Sequence, residues 1–492
     1  MRWSSVRRSA AAACVLGLAL VGTPAVAHDG SEPGNGVSTA QRAAAARTQA
    51  QNDVDPGPTP RATCGPGSQP ETGMQGRVSA ADAASGRAAE GYTCNAELVS
   101  QYGESGGYKV ERFVDATGRE CAYFDSTLLF PTNAASPAQY PTGTIVLDMS
   151  NPASPVRTTT LLTPAMQTPH ESMVLNKSRG LLAAVMGNPT VYPGVIDVYD
   201  VTGDCRNPAL QSISPSGILG HESGFAPDGR TFYAASIATG HLTAVDVSDP
   251  SFPVPLWVGN YNSHGLSISN DSNRAYVAAR SGLIILDVSQ VNQRVPNPQV
   301  RVVSRLRWDN ITIPQNAIPV TIKGHPYLVE IDEFATDSAG NITANGPVVG
   351  AARIIDIADE TTPKVVSNIR LEVHQPENRA ALAGDPGAGN FVGGYAGHYC
   401  NVPRREEPGI VACSFILSGL RVFDIRDPFH PEEIAYFNTP KEPTIPGDPP
   451  TSYAMSSPSF VPERSEVWYS DGNSGFYAVR LTNGVWTSGD NR

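Results

Sequence analysis

The sequence predicts an all-β fold, a seven-bladed β-propeller of four-stranded antiparallel blades. Three observations carry the prediction: a strand motif that recurs seven times, a hairpin pattern upstream of it, and a spacing that suits four short strands. The motif is a Gly, four to six mostly apolar residues, an Asp, then Ser or Thr and often Pro. It reads Gly143-Thr-Ile-Val-Leu-Asp148-Met-Ser-Asn-Pro152 in its first copy and Gly194-Val-Ile-Asp-Val-Tyr-Asp200-Val-Thr202 in its second. It returns as Gly240-His-Leu-Thr-Ala-Val-Asp246-Val-Ser-Asp-Pro250 and Gly282-Leu-Ile-Ile-Leu-Asp287-Val-Ser289. Later copies are Ala352-Arg-Ile-Ile-Asp356-Ile-Ala358 and Gly419-Leu-Arg-Val-Phe-Asp424-Ile-Arg-Asp-Pro428, and Gly475-Phe-Tyr-Ala-Val-Arg480-Leu481 has Arg in place of Asp.

The chemistry of the motif is that of a buried strand entering a tight corner. β-Branched and aromatic residues suit a strand covered on both faces. The Asp side chain accepts backbone N–H bonds as the chain turns, and the following Pro stops the strand. These aspartates are therefore expected to shape turns rather than to bind a ligand.

Upstream lies a second pattern, clearest from Gly220 to Ser236, where two strands flank the Asp228-Gly229 turn. Pro169 to Val185, Ser263 to Ala279 and Ser457 to Ser470 repeat it. With the Asp strand and one more, such as Pro253 to Val258, each unit has four strands. Asp148, Asp200, Asp246, Asp287, Asp356 and Asp424 are 52, 46, 41, 69 and 68 residues apart. The two long intervals contain insertions at 332–345 and 376–397, expected to decorate one face.

Compartment is read from the N-terminus. Arg2, Arg7 and Arg8 precede an uncharged apolar run from Ala10 to Val21, and Ala25-Val26-Ala27 offers small residues for cleavage, so residues 1–27 are expected to be a signal peptide. Arg7-Arg8 leaves general and twin-arginine export both open. No later stretch reaches the roughly 18–20 apolar residues of a membrane span. Six cysteines follow the leader, an even number that reads as disulfides although 15 pairings are open. Cys400 with Cys413 would close a polar loop between two strands, Cys64 with Cys94 would tie a Gly/Ala-rich segment to the domain, and Cys121 with Cys205 remains. Residues 28–92 are poor in large apolar side chains and are expected to form a flexible lead, with the propeller at 93–492.

The formal charge is −12, and without the leader's arginines it is about −15. No basic cluster interrupts it, which excludes nucleic acid and anionic membranes as partners. The expected setting is extracellular, with a protein, glycan or small ligand at the propeller face or channel. The sequence has no Cys-x-x-Cys, His-Glu-x-x-His or phosphate-binding glycine loop.

Of nine histidines, four share one repeat position: His170, His221, His264 and His398 stand at or just before the first strand of a unit. Gln315 takes that place in the fifth unit and Ser456 in the last. First strands lie against a propeller's axis, so these imidazoles would converge at the channel. An all-His ring without thiolate suits copper or zinc. Glu171 and Glu222 follow two of the histidines and are the candidates for ligand, second partner to a ring, or proton acceptor. The alternative is structural: ring nitrogens bonded to the next blade's backbone, holding the ring of strands together.

The strings Ile145-Val-Leu-Asp148-Met-Ser-Asn-Pro152 and Leu283-Ile-Ile-Leu-Asp287-Val-Ser289 resemble the LVIVD repeat of exported bacterial propeller proteins. Gly86-Arg-Ala-Ala-Glu-Gly-Tyr-Thr-Cys-Asn95 is similar to the stretch that precedes those repeats, so the resemblance runs from about residue 75 to the C-terminus. It implies the fold and assigns no activity. Propellers of the methanethiol oxidase and selenium-binding group bind copper on axial histidines, but that similarity is architectural and none of their signatures occurs here. Two functions follow from the residues. One is an extracellular binding or scaffold protein using its face and insertions. The other is a copper- or zinc-dependent enzyme, an oxidoreductase or hydrolase, using the histidine ring.

Overall fold

A computed structural model describes residues 57–126, 143–187, 194–216, 220–236, 239–343, 345–389, 394–440 and 451–487. The expected leader at 1–27 lies outside the described residues, as does the lead up to residue 56. Seven four-stranded antiparallel sheets follow one another along the chain. Blade 1 comprises Val110–Val114, Glu120–Asp125, Thr144–Asp148 and Val156–Leu161. Blades 2 to 6 begin at Val174, Gly224, Ser263, Ile313 and Gly397. Blade 7 takes Ser459–Val461, Glu466–Asp471 and Gly475–Leu481, and its outer strand comes from the N-terminal side as Ala96–Tyr102. That exchange closes the ring, since a strand from the N-terminal side is hydrogen-bonded to the last strand. The preceding strand, Tyr92–Cys94, adds a fifth strand to the outer edge of blade 6.

The recurring Asp motif is the third strand of every blade. Second and third strands are buried throughout, as in Leu181–Val185 and Gly282–Asp287, while fourth strands such as Val156–Leu161 and Ala209–Ser214 face solvent. In each blade the register between third and fourth strands shifts once, for example between Val146 and Leu147 or Ile354 and Ile355. Such bulges increase local twist, which a blade needs to pack face to face with its neighbours. The six aspartates do shape the corners: Asp148, Asp200, Asp246, Asp287, Asp356 and Asp424 each accept the backbone N–H two residues on, at 2.7–3.0 Å.

The apolar core has no single centre. Seven clusters lie one between each pair of adjacent blades, including Phe124 and Trp468 between blades 1 and 7. Burial is thus shared around a closed circle, which excludes an open solenoid. All three expected disulfides are formed: Cys64–Cys94, Cys121–Cys205 and Cys400–Cys413. Among the described residues no helix is long and apolar enough to cross a membrane.

Residues 57–91 pack on the propeller, which composition alone does not foresee. Polar anchors, the Cys64–Cys94 disulfide and a small apolar cluster around Val78, Ala88 and Tyr92 hold this segment. Buried Arg421 of blade 6 pairs with Glu71 of the lead and, at 3.0 Å, with Glu433. Arg77 pairs with Asp385 at 2.8 Å, and Val78 and Tyr92 are buried beside Tyr436. Asp385 lies in the 376–397 insertion, so the lead clasps that insertion.

Candidate functional site

Every blade sends one or two groups to the axis from at or just before its first strand. Blade 1 gives Tyr108 and Lys109, blade 2 His170 and Glu171, and blade 3 His221 and Glu222. Blade 4 gives His264, blade 5 Gln315 and Asn316, blade 6 His398 and Tyr399, and blade 7 the carbonyl of Met455. All four histidines meet there. The ring centroids of His170 and His221 are 4.8 Å apart, and those of His221 and His264 are 4.3 Å apart. Tyr108 packs 5.3 Å from both His170 and His398, bringing the last ring into the group.

The ring is not all imidazole. Glu171 Oε2 lies 3.0 Å from His221 Nδ1, and Glu171 Oε1 lies 3.3 Å from His398 Nε2. Glu333, at the end of the second strand of blade 5, lies 3.2 Å from His264 Nε2 and 3.3 Å from His398 Nε2. Sequence reasoning missed Glu333 because it occupies no repeat-equivalent position. Lys109, Tyr108 and Tyr399 were also missed, although they stand at or just before the start of first strands, because they are not histidines. Gln315 was identified, and its amide donates to Glu171 and, at 2.7 Å, to Tyr399. Ser456 is buried and turned to the chain, accepting from Ser470 N at 2.7 Å. His374, just before the 376–397 insertion, is held by Tyr395 O and Leu371 N.

Glu171 and Glu222 have equivalent sequence positions and different roles. Glu171 reaches three blades, contacting His221, His398, Gln315 and Tyr399. Glu222 pairs with Lys109 Nζ at 3.0 Å. The difference begins in the backbone: His170 and Glu171 have φ of 39° and 73°. Two successive left-handed residues that are not glycine cost about 1–2 kcal/mol each, so the surroundings must enforce them. Ser172 does so, donating to Val185 O at 2.7 Å and accepting from Val185 N at 2.8 Å. Gly187 leaves the space, since a Cβ there would sit 2.2 Å from His170 Cβ. Glycine is equally needed at Gly265, where a Cβ would meet Glu222 Oε2 at 1.9 Å.

Two tautomers follow from the backbone. His264 Nδ1 lies 2.7 Å from Pro314 O and His398 Nδ1 lies 2.6 Å from Met455 O. A carbonyl only accepts, so both Nδ1 atoms carry hydrogen and both Nε2 atoms turn to the carboxylates. These contacts also join adjacent blades, as the structural alternative expected. Burial and neighbouring His221 push His264 well below the ordinary histidine range, and burial and His221 lower His170 to about 4. Burial also opposes charge on His398, yet Glu171 and Glu333 hold it up at about 10. Burial raises Glu333, and raises Glu222 to about 7 against the pull of Lys109. The carboxylates therefore create a position for positive charge, taken by a proton on His398 when nothing else is there.

His170, Glu171 and His221 each offer one ligand atom, all within 4.8 Å of one another. Carboxylates among the imidazoles alter the expected metal preference, since His with Glu suits zinc, iron and manganese as well as copper.

The model of the LVIVD repeat matches residues 235–263 and 266–292. No curated protein matches the chain. Among solved structures, hydrazine synthase of Kuenenia stuttgartiensis is 14% identical, with 61% of this chain and 73% of that one covered and a TM-score of 0.37. A protein from Lactobacillus plantarum is 12% identical over 69% of this chain and 89% of its own, with a TM-score of 0.44. The periplasmic gluconolactonase PpgL of Pseudomonas aeruginosa is 11% identical over 69% and 92%, with a TM-score of 0.43. With the repeat match and the seven closed sheets together, the chain is a seven-bladed β-propeller that carries LVIVD repeats.

Proposed function

We propose that this protein is an exported metalloprotein whose axial centre binds a divalent transition metal and serves as the active site of a metal-dependent enzyme. One observation carries the reading: with both Nδ1 atoms donating to backbone carbonyls, the Nε2 atoms of His264 and His398 face carboxylate oxygens at 3.2–3.3 Å. A neutral ring in that arrangement, as at His264, repels the carboxylate; a proton relieves this at His398, and a metal ion between the groups would relieve it at both. The spacing also suits a shared ion. Ligand atoms about 2.0–2.2 Å from zinc are about 3–3.4 Å from one another at tetrahedral or somewhat smaller angles. Bound there, such an ion supplies Lewis acidity or an activated water. Three disulfides fit an extracellular setting.

The test is elemental analysis of the purified protein, native and reconstituted with zinc, copper, iron or manganese, beside His170→Ala/His221→Ala. Near-stoichiometric metal that falls in the double variant is the expected result. No metal after reconstitution would sink the reading and return the histidines to blade-to-blade bonding. The protein would then be a binding or scaffold propeller, a reading favoured by the two Nδ1–carbonyl contacts.

A further inference from the structure

We infer that the axial centre is built for two divalent ions that share Glu171. This rests on the metal-centre reading above and adds the number of ions and the division of ligands between them. The donors fall into two sets. One set is His264 Nε2, 3.2 Å from Glu333 Oε1, with His398 Nε2, 3.3 Å from both Glu333 Oε2 and Glu171 Oε1. The other is His170, His221 Nδ1 and Glu171 Oε2, within 4.8 Å of one another. Six side chains exceed the three or four that one zinc-like ion takes from a protein. A carboxylate whose two oxygens face different imidazoles, Oε1 to His398 and Oε2 to His221, matches a bridge, which holds two ions about 3.5–4 Å apart.

An independent observation marks the second position. His221 is 6% exposed, and its Nδ1 forms an ion pair with Glu171 Oε2 at 3.0 Å that is misaligned for a hydrogen bond, with no other hydrogen-bond partner among the described residues. A buried ring nitrogen beside a carboxylate oxygen, close but misaligned for a shared proton, has the geometry of two ligands on a common ion. Gln315 and Tyr399 meanwhile donate to the same Oε2, the outer contacts that orient a ligating carboxylate. The two positions differ in access. His264 and His398 are each 1% exposed, whereas His170 is half-buried, so the second position lies nearer solvent. Lys109 already neutralises Glu222, leaving Glu171 and Glu333 against two dications. Bound hydroxide or an anionic substrate would meet the surplus.

The experiment is titration of the metal-free secreted chain with Mn(II), read by elemental analysis after gel filtration and by electron paramagnetic resonance. The expected result is two equivalents per chain, with the signal of the first ion broadened or lost as the second binds. His170→Ala should retain one equivalent, with its circular dichroism checked against the parent. Saturation of the parent chain at one equivalent would overturn the two-ion assignment and leave the metal reading standing. Two equivalents with no magnetic coupling would also overturn it, because the ions would then not share Glu171. Failure to bind any ion would overturn both readings. If His170→Ala does not fold, the parent titration alone decides.

Discussion

Lys109 Nζ lies 3.0 Å from Glu222 Oε1 and 4.1 Å above the ring of Tyr399, with both charged side chains less than a tenth exposed. The pair explains why two glutamates at one repeat position diverge: Glu222 has a cation of its own, and Glu171 has only imidazoles. Breaking such a pair leaves one charge buried alone. Lys109→Met is expected to destabilise the fold by about 3–5 kcal/mol, and Lys109→Met/Glu222→Gln to recover most of that loss. A double-mutant cycle from urea unfolding reads the coupling. Additive losses would mean that the pair contributes nothing as a pair.

Asp125 sets the height of the Lys109 segment by accepting from the backbone N–H of Tyr108 at 3.0 Å and of Lys109 at 2.9 Å. Burial outweighs these bonds and pushes its carboxyl up to about 6. The folded pKa exceeds the ordinary value, so the folded state holds the proton more tightly. This group's contribution to stability is full below about pH 4 and is lost as pH rises through 6, amounting to about 3 kcal/mol at most. Asp125→Asn is expected to remove that slope, whatever its effect on absolute stability. Urea midpoints of parent and variant between pH 4 and pH 8 measure it, and parallel profiles would contradict it.

Gly265 gives room to the site. Gly265→Ala puts a methyl group against Glu222 Oε2 and the Gln315 carbonyl, which would lie 1.9 and 2.2 Å away. Overpacking of this kind is expected to cost about 1–3 kcal/mol and to weaken metal retention by moving Glu222 and Gln315. Gly384→Ala, with nothing within 4 Å of the added atom, is the control and should change stability by less than about 0.5 kcal/mol. Thermal melts with metal analysis of both variants separate the effects.

The propeller was legible because each blade repeats the same local physics. An apolar third strand, an Asp corner and an Asp-Gly or Asn-rich hairpin announce themselves within about 45 residues. The histidines were legible for the same reason, since His170, His221, His264 and His398 share a repeat position and the axis gathers whatever stands there. The disulfides followed from six cysteines and a reading of loops.

What escaped the sequence lies between blades. Glu333 faces His264 and His398 across 69 and 65 residues of chain, with no repeat to mark it. Composition made residues 57–91 look free, yet Arg421 and Asp385, each more than 300 residues away, hold that segment in place. The closing strand Ala96–Tyr102 pairs with Gly475–Leu481 only because the circle brings the two ends together. By itself, then, the sequence determined the blades, the corners and the presence of imidazole at the axis, all set by contacts within one repeat. Tertiary structure alone decided which carboxylate faces which imidazole and which glutamate is neutralised by lysine. Those outcomes depend on distances and burial across a closed ring, where charges far apart in sequence meet with little water to screen them.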